Sequence, residues 1–400
     1  MESSVGEYPI ARYRSYVGRG MSGMGKIGII SMQRVMNHGS FLQAYALKKT
    51  VENVIPNVKC EFIDLPSNSK CEVKYNSKSF LDILRFVYHK LKRDDTICDE
   101  YSLKWNYYKF KNIYKECLEK HLGIQEELNH NTDYEAVIIG SDEVFNCTQE
   151  DAVWGKSMLL FGEGVVAKKI ISYAASFGYT TEERLKQFEL YEAVSRNLNN
   201  FSAISVRDSN SEQIISKMLG FTPQKHLDPV FIYDFYNELQ MKKKKRKIFV
   251  IYQYQNRIIE QGIIEEIKKI AKEKGCKIVS AFEYCSWADE NLVCTPFEAM
   301  EYIRDAEYVV TDTFHGCVMS IKFNKKFATF CRQSNYNKLM NLLRQFQLEK
   351  QLITENSNLV DTLEHEIDWE KINQIIEQER ESAIMYLKDT LLEKKDEVSI

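Results

Sequence analysis

The 400-residue chain is long enough for two or three domains, and its 44% hydrophobic residues are ample for packed cores. Its net charge of −3 argues against nucleic-acid binding, which usually requires a basic excess. No apolar stretch reaches the roughly 18 residues of a membrane-spanning helix.

Residues 1–25 are predicted to be a polar N-terminal extension, because they lack the apolar core of a signal peptide. The ten cysteines are scattered without a CxxC pair. This usage is typical of free thiols in a reducing cytoplasm rather than of disulfides or a zinc site, so we expect a cytoplasmic protein with no metal.

An N-terminal α/β unit is predicted over residues 26–240, with part of the chain from 78 to 128 helical. Its predicted strands are the compact apolar runs at 26–31, 60–65, 135–140, 169–175 and 201–207. Helix starts are indicated by the capping-box spacings of Thr180 with Glu183 and of Ser209 with Glu212.

A change in composition follows at residues 233–247, which are polar and end in six consecutive basic residues, 242–247. One interpretation is a solvated linker at a domain boundary. The other is attraction to an anionic membrane surface, for which four to eight clustered cations suffice.

A C-terminal α/β unit is predicted over residues 247–347, followed by a helical tail over 348–400. Its helix signals include Gly275 as a C-terminal cap and a capping box that opens at Thr295. Alternating strands and helices in both units predict an α/β fold with mainly parallel sheets and a cleft between two domains. Ligands bind such sheets at the carboxyl ends of the strands, so polar residues just after strands are the site candidates.

Two candidates follow strands of the N-terminal unit. Asn37 and Ser40 lie in a polar turn that opens a helix, where backbone N–H groups favour an anion. The alternative is ordinary helix capping. Asp142 follows the strand at 135–140, where it is placed to bind a sugar hydroxyl, to act as a base, or simply to cap a helix.

Arg207 closes the strand at 201–207 and is either a clamp for a carboxylate or phosphate or one half of a structural ion pair. The stretch TDTFHG places Asp312 and Thr313 at a strand end and His315 and Gly316 at a helix start. A lone histidine is more often structural, but this strand-end position favours a functional role.

Six segments in this order resemble the polysaccharide pyruvyl transferase family, over roughly residues 26 to 347. They are NHGSFLQAYAL (37–47), VIIGSDEVFN (137–146), SYAASFG (172–178), SVRD (205–208), LDPVF (227–231) and VVTDTFHGCVMSIKFNKKF (309–327). The resemblance implies two Rossmann-like domains facing across a cleft, similar to the GT-B fold.

The resemblance also implies transfer of a pyruvyl group from phosphoenolpyruvate to a sugar or lipid-linked glycan, with phosphate release and no cofactor. It makes His315 the catalytic acid and Arg207 a donor-binding residue, with Asp142 or Asp312 orienting the histidine or accepting a hydroxyl proton. A basic run at 242–247 would suit an enzyme at the inner face of the membrane.

The chain departs from some relatives, which carry an arginine two positions before this histidine, where Thr313 stands. Candidates for a substitute charge are four residues nearby in the sequence: Lys322, Lys325, Lys326 and Arg332. Two other functions fit the same fold: a glycosyltransferase that uses a nucleotide sugar, and a sugar-binding relative without catalysis.

Overall fold

The computed structural model describes residues 25–65, 95–148, 157–240, 246–254, 257–332, 335–355 and 357–392. Three predicted features fall wholly or mostly outside these residues: the N-terminal extension, the part of the helical stretch at 78–94, and the part of the basic run at 242–245.

The first sheet has four parallel strands in the order β2-β1-β3-β4. They are β1 (Lys26–Ile30), β2 (Lys59–Phe62), β3 (Tyr134–Ile139) and β4 (Ala167–Ser172). A short parallel pair, β5 (Ser205–Val206) and β6 (Gln224–Lys225), joins the sheet through isolated bridges. The strand predicted over 201–207 is therefore only two residues long, because the run before it pairs through one bridge at Ala203.

The helices of this unit connect its strands and pack on its faces. They are α1 (His38–Val54), α2 (Asp95–Cys117, continued by a π-helical turn over Leu118–Leu122), α3 (Glu182–Gln187), α4 (Tyr191–Leu198), α5 (Ser209–Leu219) and α6 (Pro229–Ile232). A short 3₁₀ helix covers Met158–Phe161.

Both predicted capping boxes in this unit are wrong by one residue. Thr181 caps α3, because the hydroxyl of Thr180 instead donates to Asn146 Oδ1 at 2.8 Å. Asp208 caps α5 and accepts from the backbone N–H of Ser211, which leaves Ser209 inside the helix.

The second sheet has six parallel strands in the order β12-β11-β10-β7-β8-β9. They are β7 (Ile248–Tyr252), β8 (Lys277–Ser280), β9 (Glu290–Asn291), β10 (Tyr308–Thr311), β11 (Lys326–Phe330) and β12 (Leu352–Ile353). The remaining helices are α7 (Gln261–Lys274), α8 (Pro296–Asp305), α9 (Phe314–Lys322), α10 (Tyr336–Gln345), α11 (Leu359–Glu364) and α12 (Trp369–Leu392), with a 3₁₀ turn at Glu349–Gln351. The predicted cap at Gly275 and capping box at Thr295 are confirmed.

The segment predicted as a helical tail is divided between the two units. Strand β12 pairs with β11 and so belongs to the second sheet. Helix α12 packs on the first unit, where the hydroxyl of Tyr386 donates to the carbonyl oxygen of Ser172 at 2.8 Å. The C-terminal part of the chain therefore ties the second unit back to the first.

One continuous apolar core joins the two units. It includes Phe41 of α1, Phe231 of α6, Val318 of α9 and Leu387 of α12, all nearly inaccessible to solvent. Since a packed core of this kind resists deformation, it fixes the distance between the two sheets. The cysteines in the described ranges are all unpaired, and none of the described helices is long and apolar enough to cross a membrane.

Candidate active site between the two sheets

Two helix N-termini meet at the carboxyl edges of the sheets. Helix α1 begins after β1 and is capped by the Asn37 side chain, and α9 begins after β10 and is capped by Thr313. A Cβ atom built on Gly39 would overlap the imidazole ring of His315. The glycine therefore permits the ring of His315 to lie directly against the start of α1.

His315 belongs to a buried charged cluster that sequence reasoning did not assemble. Its Nε2 lies 3.4 Å from Oδ2 of Asp228, and Nη1 of Arg207 donates to the same oxygen at 3.0 Å. The side chains of Asp228, Arg207 and His315 are 0%, 5% and 11% exposed. The guanidinium also lies over the ring of Phe314, 4.3 Å from its centroid, which fixes its orientation.

The charges in this cluster stabilise one another. Burial raises the pKa of the Asp228 carboxyl, but His315 and Arg207 outweigh burial, and the pKa lies below its usual value. Burial likewise opposes the charge of Arg207, yet Asp228 and Asp142 hold its pKa above the usual value. Nη2 of Arg207 and Nε2 of His315 are buried without a hydrogen bond in the described part of the chain. Each of the two nitrogens faces a carboxylate, Nε2 that of Asp228 at 3.4 Å and Nη2 that of Asp142 at 3.9 Å.

Asp142 adjoins this cluster from the end of β3. Its Oδ1 lies 3.9 Å from Nη2 of Arg207, and its Oδ2 accepts from the hydroxyl of Ser40 at 3.0 Å. Its backbone has φ of 76°, in the left-handed region that aspartate tolerates better than most residues. The structure therefore brings together the predicted residues Asp142, Ser40, Arg207 and His315.

Asp312 lies in a neighbouring group and makes different contacts from those predicted. Its Oδ2 accepts from Nη1 of Arg257 at 3.0 Å, and its Oδ1 accepts from the backbone N–H of Tyr254 at 3.2 Å. The carboxylate in contact with His315 is Asp228, whereas Asp142 and Asp312, the carboxylates predicted to orient the histidine or to accept a hydroxyl proton, contact Arg207 and Arg257. Burial raises the pKa of Asp312 in spite of Arg257.

The backbone N–H groups predicted to bind an anion are already used. Asn37 Oδ1 accepts from the N–H groups of Gly39 and Ser40, and the hydroxyl of Thr313 accepts from the N–H of Gly316. The Asn37 amide also donates to the hydroxyl of Tyr254 across the cleft. Asn37, Thr313 and Gly316 therefore shape the two helix starts, and anion binding falls to side chains.

Three of the four predicted substitute charges point elsewhere. Nζ of Lys322 donates to the carbonyl oxygens of Phe231 and Tyr233, Nζ of Lys325 to that of Arg304, and Lys326 pairs with Glu364. Only Arg332 stays near the site, since it follows β11 beside Asp312.

A second ion pair crosses between the units beside Arg207. Nζ of Lys338, on α10, lies 2.6 Å from Oε1 of Glu143. Lys338, Arg207, Asp228 and Phe314 line a cavity of about 20 Å³, which has room for one water-sized group. Among the described residues, no group of His, Cys, Asp and Glu side chains is arranged to hold a metal ion.

Sequence reasoning missed Asp228, Tyr254, Arg257 and Lys338. The signal for Asp228 was present in LDPVF, but an Asp–Pro pair at a helix start is typical of capping, and Asp228 does cap α6. Its additional contact with Arg207 and His315 depends on tertiary packing.

We predict that Gly39→Ala lowers activity between about ten- and 100-fold, because the new methyl group would push the His315 ring out of place. The control is Gly262→Ala in α7, where a Cβ meets nothing within 4 Å and alanine favours the helix. Steady-state rates and thermal melts of both variants check this prediction. Full activity of Gly39→Ala would contradict it.

His38, in the same turn, is a core residue. It is 0% exposed, packs against Phe110 and Phe282, and places Nε2 3.1 Å from the carbonyl oxygen of Cys294. Burial lowers its pKa from 6.5 to about 3.

A pH dependence of stability follows from His38. Below pH 6.5 the His38 side chain binds a proton in the unfolded chain but stays neutral in the folded chain. The free energy of unfolding therefore falls as the pH falls toward about 3. We predict that His38 lowers the free energy of unfolding by about 2 kcal/mol between pH 6.5 and about pH 5. Urea unfolding at both pH values should show a smaller loss for His38→Gln, and equal losses would contradict the prediction.

The two parallel sheets, with their carboxyl edges together, define a two-domain Rossmann-like fold of the GT-B type. A solved UDP-N-acetylglucosamine 2-epimerase shares this fold, with a TM-score of 0.51 and 8% identity over 95% of this chain and 99% of that one. The UDP-GlcNAc 2-epimerase of Neisseria meningitidis, solved with UDP-GlcNAc, has a TM-score of 0.48 and 9% identity over 93% of this chain and 100% of that one. The S. aureus MnaA–UDP structure has a TM-score of 0.47 and 10% identity over 94% of this chain and 99% of that one.

The family is shown by its sequence model. The model described as polysaccharide pyruvyl transferase matches residues 37–332, well over half of the chain, whereas a comparison with curated proteins finds no significant match. The chain belongs to the polysaccharide pyruvyl transferase family and is therefore a transferase.

Proposed function

We propose that the protein transfers the pyruvyl group of phosphoenolpyruvate to a sugar of a surface-polysaccharide or glycan precursor and releases phosphate. The observation that carries this proposal is the buried cluster in which the guanidinium of Arg207 and the imidazole of His315 share the carboxylate of Asp228 between the two sheets. Phosphoenolpyruvate carries a carboxylate and a phosphate, and a guanidinium binds either group with paired hydrogen bonds.

His315 is proposed as the acid. Its imidazolium delivers a proton to the methylene carbon of phosphoenolpyruvate while a sugar hydroxyl attacks the neighbouring carbon. The C–O bond to phosphate then breaks, and a second sugar hydroxyl closes the ketal. Of the two protons that leave the hydroxyls, one replaces the proton that His315 gives to carbon and the other ends on the departing phosphate, so the products are the ketal and inorganic phosphate.

The carboxylates have separate roles in this scheme. Asp228 orients the ring of His315, because its Oδ2 lies 3.4 Å from Nε2. Asp142 is proposed to accept a hydroxyl proton, since it is the carboxylate that adjoins both Arg207 and the polar Ser40. Asp312 is proposed to position Arg257 instead of taking part in proton transfer.

The acceptor is proposed to be a sugar on a glycan precursor, in a reaction that takes place in the cytoplasm. Contact of the basic run 242–247 with an anionic membrane would bring the enzyme to a lipid-linked acceptor. No cofactor is needed, because phosphoenolpyruvate supplies both the carbon unit and the leaving group.

The test is a panel of sugar acceptors incubated with phosphoenolpyruvate and analysed by mass spectrometry. We expect one acceptor class to gain pyruvate with loss of water, together with phosphate release that depends on that acceptor. Binding of a nucleoside diphosphate but not of phosphoenolpyruvate would instead indicate a glycosyltransferase. Donor binding without turnover on any sugar would indicate a sugar-binding relative.

A further inference from the structure

Two arginines at the carboxyl edge of the second sheet are not assigned to any substrate group in the scheme above. Arg257 follows β7 and Arg332 follows β11, on either side of Asp312, which follows β10. The pairing of Thr311 with both Tyr252 and Thr329 places the ends of these strands level. Since parallel strands bring their carboxyl ends to one edge, the two arginines share that edge.

Arg257 is held in a fixed orientation. Its Nη1 lies 3.0 Å from Asp312 Oδ2, and its guanidinium lies over the ring of Tyr254, 4.0 Å from the centroid. Its side chain nevertheless remains 26% exposed. A planar guanidinium has five donors, and Asp312 accepts from one of them, so the group can bind a further anion.

Hydrogen bonds of the Arg332 backbone hold this residue near Asp312, and its side chain is exposed. Asn335 Oδ1 accepts from the backbone N–H of Arg332 at 2.7 Å, and Asn335 Nδ2 donates to the carbonyl oxygen of Asp312 at 2.8 Å. Within the described ranges, the exposed side chain of Arg332 makes no hydrogen bond or ion pair.

The charges of Arg257 and Arg332 repel each other at this edge. Burial lowers the pKa of Arg332, the charge of Arg257 lowers it further, and Asp312 opposes both without cancelling them. An anion between the two guanidiniums would relieve their repulsion.

This edge faces the same cleft as His315. Asp312, which binds Arg257, is three residues before His315 in the sequence, and the hydroxyl of Tyr254 accepts from the side chain of Asn37 at the start of α1. A group bound by the two arginines would therefore belong to a substrate that also reaches His315.

We propose that Arg257 and Arg332 bind a phosphate group of a substrate. The forked N–H donors of a guanidinium suit the oxygens of a phosphate, and Arg332 supplies a positive charge that Asp312 does not already pair. The source of this phosphate rests on the proposed function. It belongs either to phosphoenolpyruvate or to an acceptor glycan activated by a phosphate or diphosphate.

The first experiment measures binding of inorganic phosphate to the full chain by titration calorimetry. We expect Arg332→Gln and Arg257→Gln to weaken binding about 10- to 100-fold, the effect of losing a charged hydrogen bond. The control is Arg344→Gln, an exposed arginine on α10, which should bind within about twofold of the wild type. Wild-type affinity in both cleft variants, or no phosphate binding by the wild type, would overturn the proposal.

Arg332→Gln is the primary variant, because Arg257→Gln also removes the partner of Asp312 and is checked for folding by circular dichroism. The second experiment compares KM values of Arg332→Gln and the wild type. A raised KM for phosphoenolpyruvate assigns the site to the donor, and a raised KM only for a phosphorylated acceptor assigns it to the acceptor. The two proposals can fail separately. If Arg332→Gln loses phosphate binding but the wild type shows no pyruvyl transfer, the proposed function is refuted and the phosphate site is supported.

Discussion

Replacement of His315 by alanine is expected to lower the rate of pyruvyl transfer at least about 100-fold with the fold intact. A positioned general acid contributes roughly 10²- to 10⁴-fold, and His315 is the proposed source of the proton. The fold should tolerate the change because Asp228 keeps its 3.0 Å contact with Arg207, so the buried carboxylate retains a counter-charge. The measurement is acceptor-dependent phosphate release from phosphoenolpyruvate, together with a thermal melt.

Two further variants separate proton donation from other roles of His315. His315→Gln keeps a polar side chain beside Asp228 but cannot supply the proton, so its rate should match that of the alanine variant. His130→Ala removes an exposed histidine that precedes β3 and should retain the wild-type rate. Normal turnover in His315→Gln would place the proton donor at another residue.

Much of the fold could be predicted because buried parallel strands are recognisable as short apolar runs. Each of the strands β1, β3, β7 and β10 is followed within two residues by a polar residue, and the turn after each of them contributes to the site. Within each sheet their convergence follows from parallel topology, since the carboxyl ends of parallel strands meet at one edge, whereas the meeting of the two edges depends on how the units pack. The reaction itself was not predictable from these patterns and came from the resemblance to a family.

Helix caps were less predictable where two suitable residues are adjacent. At Thr180–Thr181 and at Asp208–Ser209 both residues can accept from a backbone N–H, and only the backbone conformation decides between them. The capping box at Thr295 was predictable because a proline directly follows it and leaves one interpretation.

The partner of His315 was beyond sequence reasoning for a different reason. Asp228 is 21 residues from Arg207, and His315 lies in the other α/β unit, so their contact depends on how the units pack. The sequence contains several carboxylates at strand ends, and distance in space alone distinguishes Asp228 from Asp142 and Asp312. Arg257 was missed similarly, because the polar residues after β7 carry no motif.

Replacement of Asp228 by alanine is expected to lower the free energy of unfolding by about 3–5 kcal/mol, the cost of leaving a buried charge without its partner. Arg207 would be that charge, since its side chain is 5% exposed and its closest contact is Asp228 Oδ2 at 3.0 Å. Asp228→Asn retains the shape of the side chain and an oxygen that can cap α6. The free energy of unfolding that this variant loses therefore reports on the charge alone and should be smaller than the loss in Asp228→Ala. Urea unfolding of each variant gives these free energies.

The matched control for Asp228→Asn is Glu290→Gln, which neutralises a solvent-exposed ion pair with Lys277 and should cost at most about 1 kcal/mol. A double variant, Asp228→Asn with Arg207→Met, removes both charges. If the pair is coupled as the 3.0 Å contact implies, the double variant is less destabilised than the sum of the single variants. Additive losses would show that Arg207 does not depend on Asp228, and the role of Asp228 would then reduce to its contacts with α6 and His315.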